Sequence, residues 1–164
     1  SPPTKPFHVV LLEPEIPPNT GAIARSWAAT GSVLHLIEPL GFKVDDHSVR
    51  RAGLDYWHLV KVHVHPSWEH FRRAFTGLGL HFYSAHSNAS YVAAPIEPGD
   101  ALVFGKESVG LPESLLAEYP STVWSIPTVE QGVRSLNLSN AVSIVLFDAL
   151  HRTGALSNLI ASSE

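Results

Sequence analysis

SIPTVEQGVRSLNLSNAVSIVLFDALHR (Ser125–Arg152) joins a short extended piece ending at Pro127, a polar loop containing Gly132, and a long helix. Ser135, Leu136 and Asn137 stand where that helix begins. Small polar residues at a helix start supply capping oxygens, and the free N–H groups there can hold a ligand. Leu138, Ala141, Val142, Val145, Leu146, Ala149 and Leu150 keep the i, i+3, i+4, i+7 spacing of one buried stripe. Ile144 and Phe147 lie off that stripe and form a second, narrower apolar face. The spacing therefore predicts a partner helix from another subunit. The competing reading is a helix sunk in its own core.

Upstream of this stretch, apolar runs alternate with helical patterns. Phe7–Leu12 (FHVVLL) is a continuous apolar run closed by Glu13-Pro14, as a strand buried on both faces requires. In the turn EIPPNTG, Asn19 or Thr20 can cap a helix through Ala22, Ile23, Trp27 and Ala28, which Gly31 can end. Val33–Ile37 reads as a second strand and Leu59–Val64 as a third. A short helix is expected around Ser48–Ala52. Pro66-Ser67 opens an amphipathic helix through Phe71 and Phe75, stopped by Gly77. Leu80–Ser84 and Ala101–Phe104 give two further strands, and Pro112 opens the short helix PESLLAEY. Thr122–Ile126 is the sixth expected strand. Alternation of this kind, with short connections, predicts an α/β domain with a mostly parallel sheet flanked by helices. Ligands of such sheets sit in the loops after the strands. Here those loops are EPEIPPNTG, EPLGF, SAHSNAS, GKESVGLP and Thr128–Ser135.

The chain's 164 residues suit one domain, with a core over about 7–153 and short flexible termini. A hydrophobic fraction of 45% and modest charge fit a globular protein. There is no cysteine, so disulfides, thiolate metal sites and a cysteine nucleophile are excluded. No apolar run approaches the ~20 residues of a membrane span. The opening SPPTKPF lacks the apolar segment of a signal peptide, and its missing Met suggests a processed N-terminus. A cytoplasmic setting is expected, or an organelle if a transit peptide has been removed. The net charge of −4 argues against broad phosphate binding, but Arg25, Lys43, Arg50-Arg51 and Arg72-Arg73 can make a local basic patch.

Two familiar motifs are absent. FGKES is not a phosphate-binding P-loop, because five residues separate Gly99 from Gly105 and Glu107 stands where a hydroxyl is needed. No GxGxxG is present either. His63 and His65 share one strand face without the third-ligand spacing of a metal site, so they are expected on the polar face of an edge strand. No metal is predicted. Asn88-Ala89-Ser90 fits a glycosylation sequon and is read as loop chemistry.

Three blocks remain: NTGAIARSWAATG, LVFGKESVGLP and SIPTVEQGVRSLNLSNAVS. With EPEIPPNTG and RRAGLDYW they resemble the SPOUT methyltransferases, the knotted family that methylates RNA. The nearest likeness is to the small members that methylate the ribose of the tRNA wobble nucleotide, cytidine or uridine. The likeness runs from about Val9 to Arg152, in order and at family-like spacings.

The resemblance implies a C-terminal trefoil knot, among the rarest of topologies. It implies S-adenosylmethionine as methyl donor, leaving S-adenosylhomocysteine. Held by the last three loops, that donor would meet Tyr83 and Ser84, then Gly105, Glu107 and Gly110, then Ile126, Ser135, Leu136 and Asn137. Glycines let the backbone approach a ligand, and an apolar slot holds a ring. Asn19, Arg25, Glu107, Ser135 and Asn137 match the family's polar catalytic positions. A guanidinium has a pKa above about 12, so Arg25 is expected chiefly to clamp phosphate and stabilise the developing alkoxide. Glu107 is expected to hold Arg25 or neighbouring amides, and Ser135 and Asn137 to double as helix caps. Lys43, Arg50, Arg51, Tyr56 and Trp57 mix phosphate binders with stacking surfaces suited to a single-stranded RNA loop.

The leading expectation is a homodimeric tRNA wobble-ribose methyltransferase paired through the C-terminal helix. The alternatives are a ribose methyltransferase for another RNA, or a catalytically silent RNA-binding scaffold of the same fold.

Overall fold

In the computed structural model, residues 5–15, 19, 22–23, 29–42, 61–129 and 136–161 are described. Six strands, β1 (His8–Leu12), β2 (Val33–Ile37), β3 (Lys61–His65), β4 (Leu80–Tyr83), β5 (Ala101–Phe104) and β6 (Val123–Trp124), form one sheet in the order β3-β2-β1-β5-β4-β6. Every pairing between these strands is parallel. The described helices are α1 (Trp68–Ala74), α2 (Glu113–Glu118), α3 (Leu138–Arg152) and α4 (Leu156–Ala161).

Because both faces of the sheet are covered, its central strands are continuous apolar runs. Val9, Leu11, Leu34, Leu36, Leu102 and Phe104 pack with Val142, Val145, Leu146 and Ala149 of α3. On the other face, Val10, Leu12, Ile37, Phe82 and Val103 pack with Phe71 of α1 and Leu115 of α2. Ser67 caps α1, its hydroxyl accepting the His70 N–H. Asn19, Ala22, Ile23, Ala29 and Thr30 have helical backbone, and Gly31 follows at φ +70°, the left-handed turn expected of it. The helix expected around Ser48–Ala52 lies outside the described residues.

Two expectations are corrected. The sixth strand is only two residues long; beyond it Ser125 makes a lone parallel bridge to Ser90. His63 and His65 are on the edge strand β3, but their face is not a polar surface. Phe71 and Phe75 stack edge-on against it, and His65 is only 3% exposed. What makes this face tolerable for imidazoles is a chain of N–H···N bonds. His8 Nδ1 meets His35 Nε2 at 2.9 Å, His35 Nδ1 meets His65 Nε2 at 3.0 Å, and His65 Nδ1 meets His70 Nδ1 at 3.1 Å.

Neutral rings satisfy this ladder; a charged ring inside it would be desolvated and would face like charge. Burial first, then His8, His65 and His63, push His35 down to about 2. Burial also lowers His8, with His63 adding to it, and lowers His65, with His70 and His63 adding. The unfolded chain therefore binds protons that the folded chain refuses, and stability falls as pH drops below about 6.5. Each excluded proton costs ~1.4 kcal/mol per pH unit, so His35 alone should remove about 2 kcal/mol between pH 6.5 and 5.0. Urea unfolding across this window, above the carboxylate range, reads the effect directly. An unchanged midpoint would contradict a neutral ladder.

A second buried polar group anchors the short β6. Trp124 Nε1–H donates to His81 Nδ1 (3.1 Å), and His81 Nε2 in turn pairs with Asp100 Oδ2 (2.9 Å). This fixes the strand end that leads into the loop before α3.

Candidate active site

The strand order reverses between β1 and β5, and the crevice outside their carboxyl ends is where open α/β sheets bind ligands. Two stretches lie there: residues 13–15, the described part of the loop after β1, and the loop 105–111 after β5. The β5 loop folds back on itself: Gly110 N–H donates to the Lys106 carbonyl (2.9 Å), and Gly110 has φ +75°. Gly105 is compelled by this hairpin, since a Cβ there would lie 2.1 Å from the Gly110 carbonyl carbon.

Glu107 leaves the tip of this hairpin and binds the β1 loop with both oxygens. Its Oε1 accepts the Glu15 N–H (2.8 Å), and its Oε2 accepts from Asn19 Nδ2 (3.2 Å). The Asn19 carbonyl oxygen accepts from Asn137 Nδ2 (3.1 Å). Asn137 is the N-cap of α3, its own oxygen accepting the N–H groups of Ser139 and Asn140. Three of the five expected catalytic residues, Asn19, Glu107 and Asn137, are thus one hydrogen-bonded line across three separate loops. Asn19 is buried, and its partners on both sides fix its amide orientation. Arg25 and Ser135 lie outside the described residues, as do Lys43, Arg50, Arg51, Tyr56 and Trp57.

Glu15 was not singled out from the sequence, yet it ties the same two loops. Its Oε1 accepts the Ser108 N–H at 2.9 Å, while its own N–H serves Glu107. Hydrogen bonding from Ser108, and then the Lys106 charge, hold its carboxyl below the usual range. Lys106 Nζ is also 3.7 Å from Glu13 Oε1, and Glu13 has the left-handed φ of +55°. A carboxylate placed just after a strand, between two prolines, was the available signal.

The remaining expected cofactor residues are on the β4–β6 side. Tyr83 is buried and stacked on Phe104 with centroids 4.9 Å apart, so its side chain is core and only its backbone can face a ligand. Burial raises its phenol, which stays neutral. Ser84 N–H donates to the Trp124 carbonyl (2.8 Å), and Ser84 lines a cleft of about 350 Å³ with His86 and Asn88. Gly110 lines another of about 340 Å³ with Leu12, Glu13 and Lys106. Ile126 is half-buried against the α3 face of the core, and Leu136 is exposed beside the α3 cap.

A parallel sheet with a polar line at its switch point is the arrangement in which open α/β folds hold their ligands. Residues 6–147 match the SpoU rRNA Methylase family, and the chain belongs to that family. It is 42% identical over 150 residues to the tRNA (cytidine(34)-2′-O)-methyltransferase of Burkholderia ambifaria, covering 90% of this chain and 96% of that protein. A solved structure described as giving structural insights into the 2-OH methylation of C/U34 on tRNA superposes with a TM-score of 0.86 at 42% identity. That match covers 94% of this chain and 98% of the other. The fold is also that of an AdoMet-bound rRNA methyltransferase from Sinorhizobium meliloti, with a TM-score of 0.80 at 24% identity over 92% of this chain and 58% of the other. The expected α/β class with a mostly parallel sheet flanked by helices, and the family resemblance, are borne out.

Proposed function

We propose that this chain is an S-adenosylmethionine-dependent tRNA methyltransferase acting on the ribose 2′-hydroxyl of the wobble nucleotide, cytidine or uridine, in the anticodon loop. The observation that carries this is the Glu107–Asn19–Asn137 line at the switch point, in a chain similar over nine-tenths of its length to a tRNA (cytidine(34)-2′-O)-methyltransferase.

The loops suit an adenosyl group: a hairpin with no side chain at Gly105 or Gly110, and apolar surface from Ile126 and Leu136. Main-chain groups of Tyr83, Ser84, Gly105, Gly110, Ile126, Ser135 and Leu136 would hold it, with Glu107 and Asn137 at its polar edge. The bound donor supplies an electrophilic methyl carbon. The chain's own work is positioning. Glu107 fixes the Asn19 amide, Asn19 fixes Asn137, and Arg25 clamps the target phosphate and stabilises the alkoxide as the hydroxyl gives its proton to solvent.

A single domain over 1–164 with a core over about 7–153 fits this reading. A C-terminal knot is supported by the path of the chain, which leaves β6 at the sheet edge and reappears at Leu136 beside the β1 and β5 loops. A homodimer is supported by Ile144 and Phe147, 37% and 40% exposed on α3. Among the described residues no helix is long and apolar enough to cross a membrane, and a cytoplasmic setting goes with a tRNA substrate.

Labelled-methyl transfer to total tRNA, followed by mapping of the modified nucleotide, tests the proposal. Label on the 2′-oxygen of nucleotide 34 is the expected result. Label elsewhere would favour another RNA target, and absence of S-adenosylmethionine binding by calorimetry would favour the silent scaffold. Separately, Arg50→Glu with Arg51→Glu should weaken tRNA binding at least ~10-fold and flatten its salt dependence, with donor binding unchanged. Equal loss of both would mean misfolding.

A further inference from the structure

Arg152, the last residue of α3, makes more contacts than a surface arginine needs. An i, i+4 pair with Asp148 is ordinary and worth little; here Nε and Nη2 both reach Asp148 Oδ2, at 3.0 and 2.9 Å. That pair aims the rest of the guanidinium at a distant segment. Nη1 donates to the Ala94 carbonyl (2.5 Å) and Nη2 to the Tyr91 carbonyl (3.3 Å), residues 58 and 61 positions earlier. The fork of donors on arginine is what allows three partners at once.

The segment it grips is a 3₁₀ turn, Tyr91–Ala93, whose other side holds the chain leading to α3. Tyr91 N–H donates to the Ser125 carbonyl (2.7 Å), and Ser125 N–H donates to the Ala89 carbonyl (2.7 Å). Ser125 immediately precedes Ile126. Residues 89–94 are therefore bonded to both ends of the C-terminal segment, at Ser125 and at Arg152. The other end of α3 is pinned by Asn137 to Asn19. A closed ring of chain results: turn, strand end, the connection to α3, α3 itself, guanidinium, and back to the turn.

We propose that Arg152, oriented by Asp148, is a positioning residue that clamps the Tyr91–Ala94 turn to α3 and thereby sets the wall at Ser125–Ile126 against which S-adenosylmethionine binds. The proposal rests on the donor-binding reading above. Loosening the clamp lets the wall shift without touching the Glu107–Asn19 line. Donor affinity should then suffer while turnover at saturating donor is largely kept.

Calorimetry with S-adenosylmethionine on the full chain, paired with steady-state kinetics, tests it. Arg152→Ala should raise Kd and KM for the donor about tenfold, the scale of lost charge-assisted hydrogen bonds, with kcat within ~3-fold of wild type. Arg152→Lys keeps the charge but not the fork and should fall between the two. Amide exchange at Tyr91 and Ser125 should quicken in Arg152→Ala while β1 amides stay protected. Wild-type donor affinity in Arg152→Ala or Arg152→Lys, even with a lower melting temperature, would overturn the proposal. So would uniform quickening of exchange across the sheet. If Arg152→Ala does not fold, Arg152→Lys with Asp148→Asn decides, since unchanged donor affinity in both would overturn it. Failure of the wild-type chain to bind the donor at all would instead remove the functional reading, and this proposal with it.

Discussion

Glu107→Gln should lower kcat/KM for methyl transfer by roughly 10²- to 10³-fold while leaving the fold intact. Both carboxylate oxygens accept from donors, the Glu15 N–H and Asn19 Nδ2. A carboxamide of the same shape offers one acceptor and turns an NH₂ group toward the other donor. One bond to a charged acceptor becomes a neutral one, and the other becomes a clash of two donors. Hydrogen bonds to charged groups are worth about 1.5–3 kcal/mol each, and the Asn19 amide loses the partner that orients it. Misorientation passes to Asn137, because Asn19 is its partner. Steady-state kinetics with tRNA, beside a thermal melt, separate this from unfolding. A Gln variant with wild-type kcat/KM would remove Glu107 from the reaction.

Gly105→Ala should be worse, and for a different reason. The new methyl would sit 2.1 Å from the Gly110 carbonyl carbon and 2.3 Å from the Leu111 nitrogen. Both neighbours are backbone, so no rotamer change relieves the overlap; the hairpin must open. The expected cost is at least ~3 kcal/mol, or roughly 6–12 °C in melting temperature, with loss of donor binding. Gly110→Ala is the control. Nothing lies within 4 Å of its Cβ position, and only its φ of +75° is unfavourable, so about 1 kcal/mol is expected. Equal tolerance of both substitutions would show that the hairpin is not the constraint described.

The central strands were legible because burial on both faces leaves no polar alternation to misread. β2 and β5 fall on the residues expected of them, Val33–Ile37 and Ala101–Phe104. The ends were less so. β6 stops at Trp124 because Ser125 pairs with the loop after β4 instead, a partner 35 residues earlier in the chain. α4 was not anticipated: Leu156 and Leu159 pack against the α3-side core, but six residues after a glycine carry too little periodicity to read. The histidine ladder was misread for a related reason. A strand with His63 and His65 looks half-polar until His35 and His70 arrive from elsewhere to bond the His65 ring, with His35 also stacked on His63. In the site, Asn19, Glu107 and Asn137 were legible through motif likeness, and the structure joins them. Glu15 was not, because its partners Glu107 and Ser108 lie 92 and 93 positions away.

The Asn137–Asn19 bond spans 118 positions of chain, which has a consequence for the order of synthesis. The β1 loop emerges from the ribosome early and Glu107 much later, but the polar line stays open until α3 has been made. Domains emerge amino end first at about 5–20 residues per second, so Asn19 waits several seconds for its last partner. A nascent or prematurely ended chain that lacks α3 therefore has no finished site, and the sheet face that α3 covers is bare. Activity toward tRNA thus waits on the synthesis of α3.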